Sequence, residues 1–186
     1  MRSLLRVLLM TMMSCLLISG CNLSEKHATQ QILKKMIGST VVLPEKVTCI
    51  QGGYSFPMPE TLRTTPKLIV FVDSTECSKC RIDKLVHYSG MFTLSKETNA
   101  FTISILISTP KLEYNEIYEH LLYSEIQYPI YLDDNNAFRR LNPSIPDESM
   151  FHTVTVNDNN EIVLVGDPVY NDRIMEMFNR VFEIYR

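Results

Sequence analysis

Tryptophan is absent from the 186 residues, and no internal repeat or low-complexity tract interrupts them. No Gly-rich phosphate loop, dinucleotide fingerprint or Ser-His-Asp pattern can be traced, so nucleotide and flavin cofactors and serine-hydrolase chemistry find no support. No basic stripe or Arg/Lys cluster exists, which argues against nucleic acid as a partner. Asp133-Asp134 and Asp158-Asn159-Asn160 lack the alternating ligands of a calcium loop and read as a helix cap and a turn. Cysteine is sparse. Five are present, too few for a stapled scaffold, and their placement points to chemistry more than architecture.

The one long apolar run stands at the start. Arg2 and Arg6 supply a basic opening, Leu4 to Ile18 is almost wholly apolar, and the run closes on Ile18-Ser19-Gly20-Cys21. It is too short for a spanning helix of about 20 apolar residues and has the form of an export leader. Residues 18–21 resemble the lipobox of bacterial lipoproteins, which implies cleavage after residue 20, lipidation of Cys21 and attachment to a bacterial membrane. Asn22, where an inner-membrane lipoprotein of enteric bacteria would carry Asp, favours the outer membrane, facing the periplasm. Loss of residues 1–20 leaves 166 residues and takes the formal net charge from −3 to −5, because only Arg2 and Arg6 depart. That length suits one domain with a modest core. The exported part then keeps Cys49, Cys77 and Cys80 as thiols, a close pair and one spare.

Along the exported part, residues 24–37 read as a helix capped by Ser24 and ended by Gly38, with Ile32, Leu33, Met36 and Ile37 on one side. Thr40–Leu43 and Val47–Ile50 read as strands of a hairpin joined by Pro44-Glu45-Lys46, and Gln51–Pro66 as irregular chain. Lys67–Asp73 is a continuous apolar run, the mark of a strand buried on both faces. Helical spacing begins at Cys77, with Ile82, Leu85 and Val86 on one face, and Phe101–Ile107 is a second buried strand. Together these make a βαβ unit, right-handed by rule. A helix over 112–123, a strand at Ile130–Leu132, a short helix through Leu141, a hairpin of Thr153–Asn157 with Glu161–Val165, and a last helix follow. That helix carries Ile174, Met177, Phe178, Val181, Phe182 and Tyr185 as a stripe expected to pack in the core.

A Cys77-Ser78-Lys79-Cys80 dithiol falls just after the first core strand, at the opening of the first core helix. In this order of elements the chain resembles the membrane-tethered thioredoxin-like lipoproteins, the extracytoplasmic thiol-disulfide oxidoreductase (TlpA/ResA-like) family that includes proteins of cytochrome maturation. The likeness covers residues 60–186 and includes Pro129-Ile130-Tyr131-Leu132-Asp133 and the hairpin opening Thr153-Val154-Thr155-Val156. It implies an α/β, thioredoxin-like three-layer fold, a central mixed sheet with flanking helices, to which residues 21–59 add an N-terminal helix and a short β-hairpin.

A helix start offers unpaired N–H groups and partial positive charge, which favour thiolate over thiol. Cys77 is therefore the expected attacking sulfur, and Cys80, one turn on, the resolving one. Glu76 stands where relatives usually carry tryptophan. At roughly 6 Å its charge would raise the thiolate energy by about 0.7 kcal/mol in water and ~2.8 at an effective dielectric of ~20. The helix end returns about 0.3–2 kcal/mol, and Lys79 offsets part of the rest if it points toward the sulfur. A reductant-type poise is the expectation.

Two positions depart from the family pattern. The cis-proline before the hairpin strand, which helps bind substrate and keeps metals off the dithiol, is matched here by His152, followed by Thr153. The buried carboxylate six residues before the first cysteine is matched by Phe71, although Asp73 lies nearby. His152 has three readings: tuning of the dithiol, a Cys₂His metal site with Cys77 and Cys80, or a hydrogen-bonded histidine at a strand entrance. Thiolates with imidazole suit copper(I) or zinc, and Sco-type copper-delivery proteins use two cysteines and a histidine on this fold, with three residues between their cysteines instead of two. Cys49 reads as a small buried hydrophobe, and His27, His87 and His120 as solvated.

The expected protein is thus a lipid-anchored, periplasm-facing thiol-disulfide oxidoreductase, with no bound cofactor or resident metal. Disulfides of exported proteins would be its substrates, and a membrane electron donor its source of reducing power. A metallochaperone and a non-catalytic binding module on the same fold are the alternatives.

Overall fold

In a computed structural model of the chain, the described residues are 26–73, 78–109 and 113–184, with the side chains of 78–81 outside the description. The chain divides into two compact units, Met1–Lys35 and Met36–Arg186. Of the first, the described residues belong to a helix, α1, that spans 26–36.

A seven-stranded mixed sheet organises the second unit, in the order β2-β1-β5-β4-β3-β6-β7. Fifth in that order is β3 (Lys67–Val72), an interior strand every residue of which is buried. β4 (Thr102–Ser108) pairs parallel with β3, and β5 (Ile130–Asp133) parallel with β4. On the other side β6 (Thr153–Val156) pairs antiparallel with β3, and β7 (Ile162–Val165) antiparallel with β6. Parallel neighbours need crossovers. α2 (Ser78–Leu85), a 3-10 turn at Val86–Tyr88 and α3 (Ser89–Thr98) lead from β3 to β4, and α4 (Tyr114–Leu122) leads from β4 to β5.

Alternation along β3 sorts its side chains between two layers. Leu68, Val70 and Val72 join one cluster with Ile82, Met91, Ile117 and, from α6 (Asp172–Val181), Phe178. Phe71 faces the opposite layer, where its ring lies 4.7 Å from that of Phe138 on α5 (Ala137–Leu141) and 5.3 Å from that of His152. Apolar side chains on both faces explain why the sequence of β3 shows no polar alternation.

The first hairpin differs from expectation. Thr40 makes only an isolated bridge to Glu161, and 41–43 form no strand. Val42 instead takes its backbone partners from a side chain: its N–H donates to Asn142 Oδ1 at 2.8 Å, and its carbonyl accepts from Asn142 Nδ2 at 2.9 Å. The hairpin lies one step later: β1 (Thr48–Gln51) takes most of the second expected strand, and β2 (Tyr54–Pro57), inside the stretch expected to be irregular, pairs with it. Gly52 and Gly53 join it with φ of 56° and 81°, the left-handed pair a two-residue hairpin turn demands. β1 then pairs antiparallel with β5, which extends the central sheet.

Smaller corrections concern exposure. Ile37 and Val86, expected on buried faces, are 48% and 53% exposed. On α6, Phe178 is buried, whereas Met177 and Val181 are largely exposed, so the stripe packs along a narrower seam than its periodicity implied. β6 is buried throughout and not alternating. Asn171 caps α6 by accepting from the N–H groups of Arg173 and Ile174.

Candidate active site

The carboxyl ends of the parallel strands β3, β4 and β5 form one edge of the sheet, the edge at which open α/β sheets carry their sites. Asp73 follows β3, Thr109 follows β4 and Asp133 closes β5, and all are buried. Asp133 is occupied with structure: its Oδ2 accepts from Phe138 N–H at 2.7 Å and so satisfies the start of α5, the cap expected there. Ser108 reaches Asn136 Oδ1 at 2.9 Å. Thr109 Oγ1 has no hydrogen-bond partner among the described residues.

From Asp73 the chain runs through 74–77 to α2. Glu76 and Cys77 lie outside the described residues, as does Cys21. Lys79 and Cys80 belong to the opening turn of α2 by their backbone, and their side chains are outside the description. At the described end of this junction, around Asp73, stand His152 and Arg139.

His152 is the first of them. It sits between a 3-10 turn (Ser149–Phe151) and β6, is 1% exposed, and its carbonyl accepts from Phe71 N–H at 2.9 Å, which extends the β3 ladder by one bond. Its Nε2 lies 3.0 Å from the Pro146 carbonyl and 3.4 Å from Arg139 Nη1. A carbonyl can only accept, so the closer contact requires the proton on Nε2. Ligation of a metal through Nε2 would cost that bond. Among the described residues no group of three metal-ligating side chains assembles. Thr153 opens β6, 4% exposed, paired with Val70, and its carbonyl accepts from Gly166 N–H at 2.8 Å. Among the described residues no peptide bond is cis.

Arg139 was not singled out by the sequence, yet it binds the site together. Its Nη1 donates to the Pro146 carbonyl at 2.9 Å and lies 3.7 Å from Asp73 Oδ2, while Nη2 pairs with the Asp147 carboxylate. Asp73 has a side chain only 7% exposed, so the guanidinium supplies the counter-charge that a buried carboxylate requires. Arg139 and Arg140 are adjacent and alike in sequence, and no signal of spacing separates them.

Cys49, by contrast, is remote in character. It is fully buried in β1 beside Tyr131, and burial pushes its thiol up to about 11, partly opposed by the hydrogen bond with Tyr131. A thiol so placed is a poor thiolate, in keeping with a core role. His27, His87 and His120 are exposed, the last 3.7 Å from Asp83.

No family model and no curated protein matches the chain. Among solved structures, the chain is similar to a candidate protein disulfide isomerase from Bacteroides thetaiotaomicron, at 16% identity over 79% of this chain and 87% of that one, with a TM-score of 0.50. The fold is thioredoxin-like. The thioredoxin domain of a thiol-disulfide oxidoreductase from Bacteroides vulgatus matches at 20% identity, over 76% of this chain and 96% of that one, with a TM-score of 0.46. A thiol:disulfide interchange protein from a Bacteroides species matches at 16%, over 80% and 92%, with 0.48. In the sheet β3 is the strand that ends before Cys77 in the sequence, and the β6–β7 hairpin lies beside it through the β3–β6 pairing. No helix among the described residues is long and apolar enough to cross a membrane.

Proposed function

We propose that the protein is a thiol-disulfide oxidoreductase that reduces disulfides of exported proteins with Cys77 and Cys80. The observation that carries this reading is the position of the Cys-x-x-Cys: its second cysteine lies in the opening turn of α2, the first helix after β3, an interior strand of a thioredoxin-like sheet. Backbone N–H groups at such a helix start favour a thiolate. Cys77 thiolate attacks a substrate disulfide, forming a mixed disulfide and expelling one substrate thiolate, which takes up a proton. Cys80 thiolate then attacks Cys77 Sγ, releasing the second substrate thiolate and leaving a Cys77–Cys80 disulfide. Two electrons have passed to the substrate, and a dithiol protein at the membrane restores them.

Residues 1–20 would serve as an export leader, 21–59 as anchor and extension, and 60–186 as the thioredoxin-like domain. Lipidated Cys21 would hold it to the envelope, at the outer membrane and facing the periplasm. Glu76 next to Cys77 makes a reductant-type poise the expected one, with Lys79 as partial compensation, and His152 and Thr153 bordering the dithiol.

Insulin reduction by the protein without its leader tests the activity. Turnover lost in Cys77→Ser is the expected outcome, and turnover that survives the substitution refutes the assignment. Equilibration with glutathione tests the poise, which a potential near −120 mV would overturn.

A further inference from the structure

Three stretches of chain meet at Arg139. The end of β3 brings the Asp73 carboxylate to 3.7 Å from Nη1. The stretch before β6 brings the Pro146 carbonyl, which accepts from Nη1 at 2.9 Å, the Asp147 carboxylate on Nη2, and His152 Nε2 at 3.4 Å from Nη1. The third is α5 itself, held by the Asp133 cap and by Asn142, whose Nδ2 donates to the Phe138 carbonyl at 2.7 Å. The Arg139 side chain is 19% exposed and that of Asp73 7%, so water screens their attraction poorly.

We propose that Arg139 is a positioning residue for the dithiol, holding the 146–152 stretch against the end of β3 and neutralising Asp73 where the chain departs toward Cys77. The inference rests on the proposed oxidoreductase reading and deepens it. Cys77 follows Asp73 by four residues, a span of at most about 14 Å of extended chain. A carboxylate there, without its counter-charge, opposes a thiolate at Cys77. The Asp73–Arg139 pair is close to neutral and does not. The geometry is specific to a guanidinium: Nη1 serves Pro146 and Asp73 while Nη2 serves Asp147, a division that a single ammonium cannot reproduce.

The equilibrium of the full chain with glutathione tests this. In that exchange the Cys77–Cys80 bond breaks, the sulfur–sulfur bond of glutathione disulfide forms, and two electrons and two protons move to the protein. Arg139→Gln is expected to shift the constant about tenfold toward the protein disulfide, equivalent to about 30 mV more reducing. Asp73→Asn added to Arg139→Gln is expected to return it to within threefold of wild type, and Arg139→Lys to fall between. Asp73→Asn alone, which keeps the cation, shifts the constant the opposite way and serves as the deciding variant should Arg139→Gln fail to fold. A merely structural role for Arg139 would not reverse sign with Asp73. A wild-type couple that Arg139→Gln and Asp73→Asn leave within twofold overturns the inference alone. A wild type that forms no Cys77–Cys80 disulfide overturns the oxidoreductase reading and this inference with it.

Discussion

At one end of β3 the Asp73 carboxylate lies 3.7 Å from the Arg139 guanidinium. At the other end Lys67 is fully enclosed, and its ammonium donates at 2.6 Å to Asn160 Oδ1, a neutral acceptor, with no carboxylate paired to it among the described residues. The two charges stand at opposite ends of one interior strand of the sheet, and among the described residues only one has a counter-charge. Burial accordingly pushes the Lys67 ammonium down to about 8. An unpaired buried charge costs stability, whereas a paired one costs little until a partner is removed. The carboxyl end, from which the Cys77 segment leaves, is built to keep its charge quiet. The amino end only endures its own.

The largest expected effect would break this contrast. Arg139→Gln removes the guanidinium from the buried Asp73 carboxylate and should lower stability by about 4 kcal/mol, read from urea unfolding, with Asp73→Asn in the same chain recovering most of it. Equal losses with and without Asp73 would mean that the pair carries no charge coupling.

Next comes the pH dependence of the amino end. Between pH 8 and 10.5 the unfolded chain holds the Lys67 proton more tightly than the folded one, so stability must rise with pH there, by up to about 3 kcal/mol. Below pH 8 both states are protonated and the penalty is present in full. Lys67→Met should remove the rise and stabilise the protein at neutral pH. A rise that persists in this variant would place its origin elsewhere.

Asn142→Ala sharpens the comparison from the side of α5. It removes two bonds to the backbone of Val42 and one to the Phe138 carbonyl, for a loss of about 2 kcal/mol. Hydrogen exchange should quicken in α5 and leave the amino end of β3 unchanged. The smallest effect is expected from Asn160→Gly. Asn160 has φ of 59°, which glycine adopts freely, so the variant deletes the acceptor of Lys67 with little backbone strain. It should cost about 1.5 kcal/mol at pH 7 and less above pH 8, as the ammonium loses its proton.

The central strands were legible because burial on both faces writes itself as unbroken apolar runs, as in Leu68–Val72 and Ile103–Ile107. The β6–β7 hairpin was legible from its Asp-Asn-Asn turn. The first hairpin was misplaced because the β-branched run at Thr40–Leu43 has strand propensity but is claimed by the Asn142 side chain, a hundred residues away. The Gly52-Gly53 pair was the better signal, since two adjacent residues that tolerate positive φ are what a two-residue turn needs. Of the candidate site, Cys77-Ser78-Lys79-Cys80 and His152 were singled out by their positions in the sequence. Lys67 could not be distinguished from an ordinary exposed lysine at the head of a strand, nor Arg139 from Arg140.

By itself the sequence determined the order of elements, the two buried parallel strands and the location of a Cys-x-x-Cys between strand and helix, because periodicity and chain connectivity are local properties. Only the tertiary structure decided which charges are buried and what faces them. Counter-charges such as Arg139 for Asp73 come from elements 66 residues apart, and no local pattern encodes a pairing that exists solely through packing.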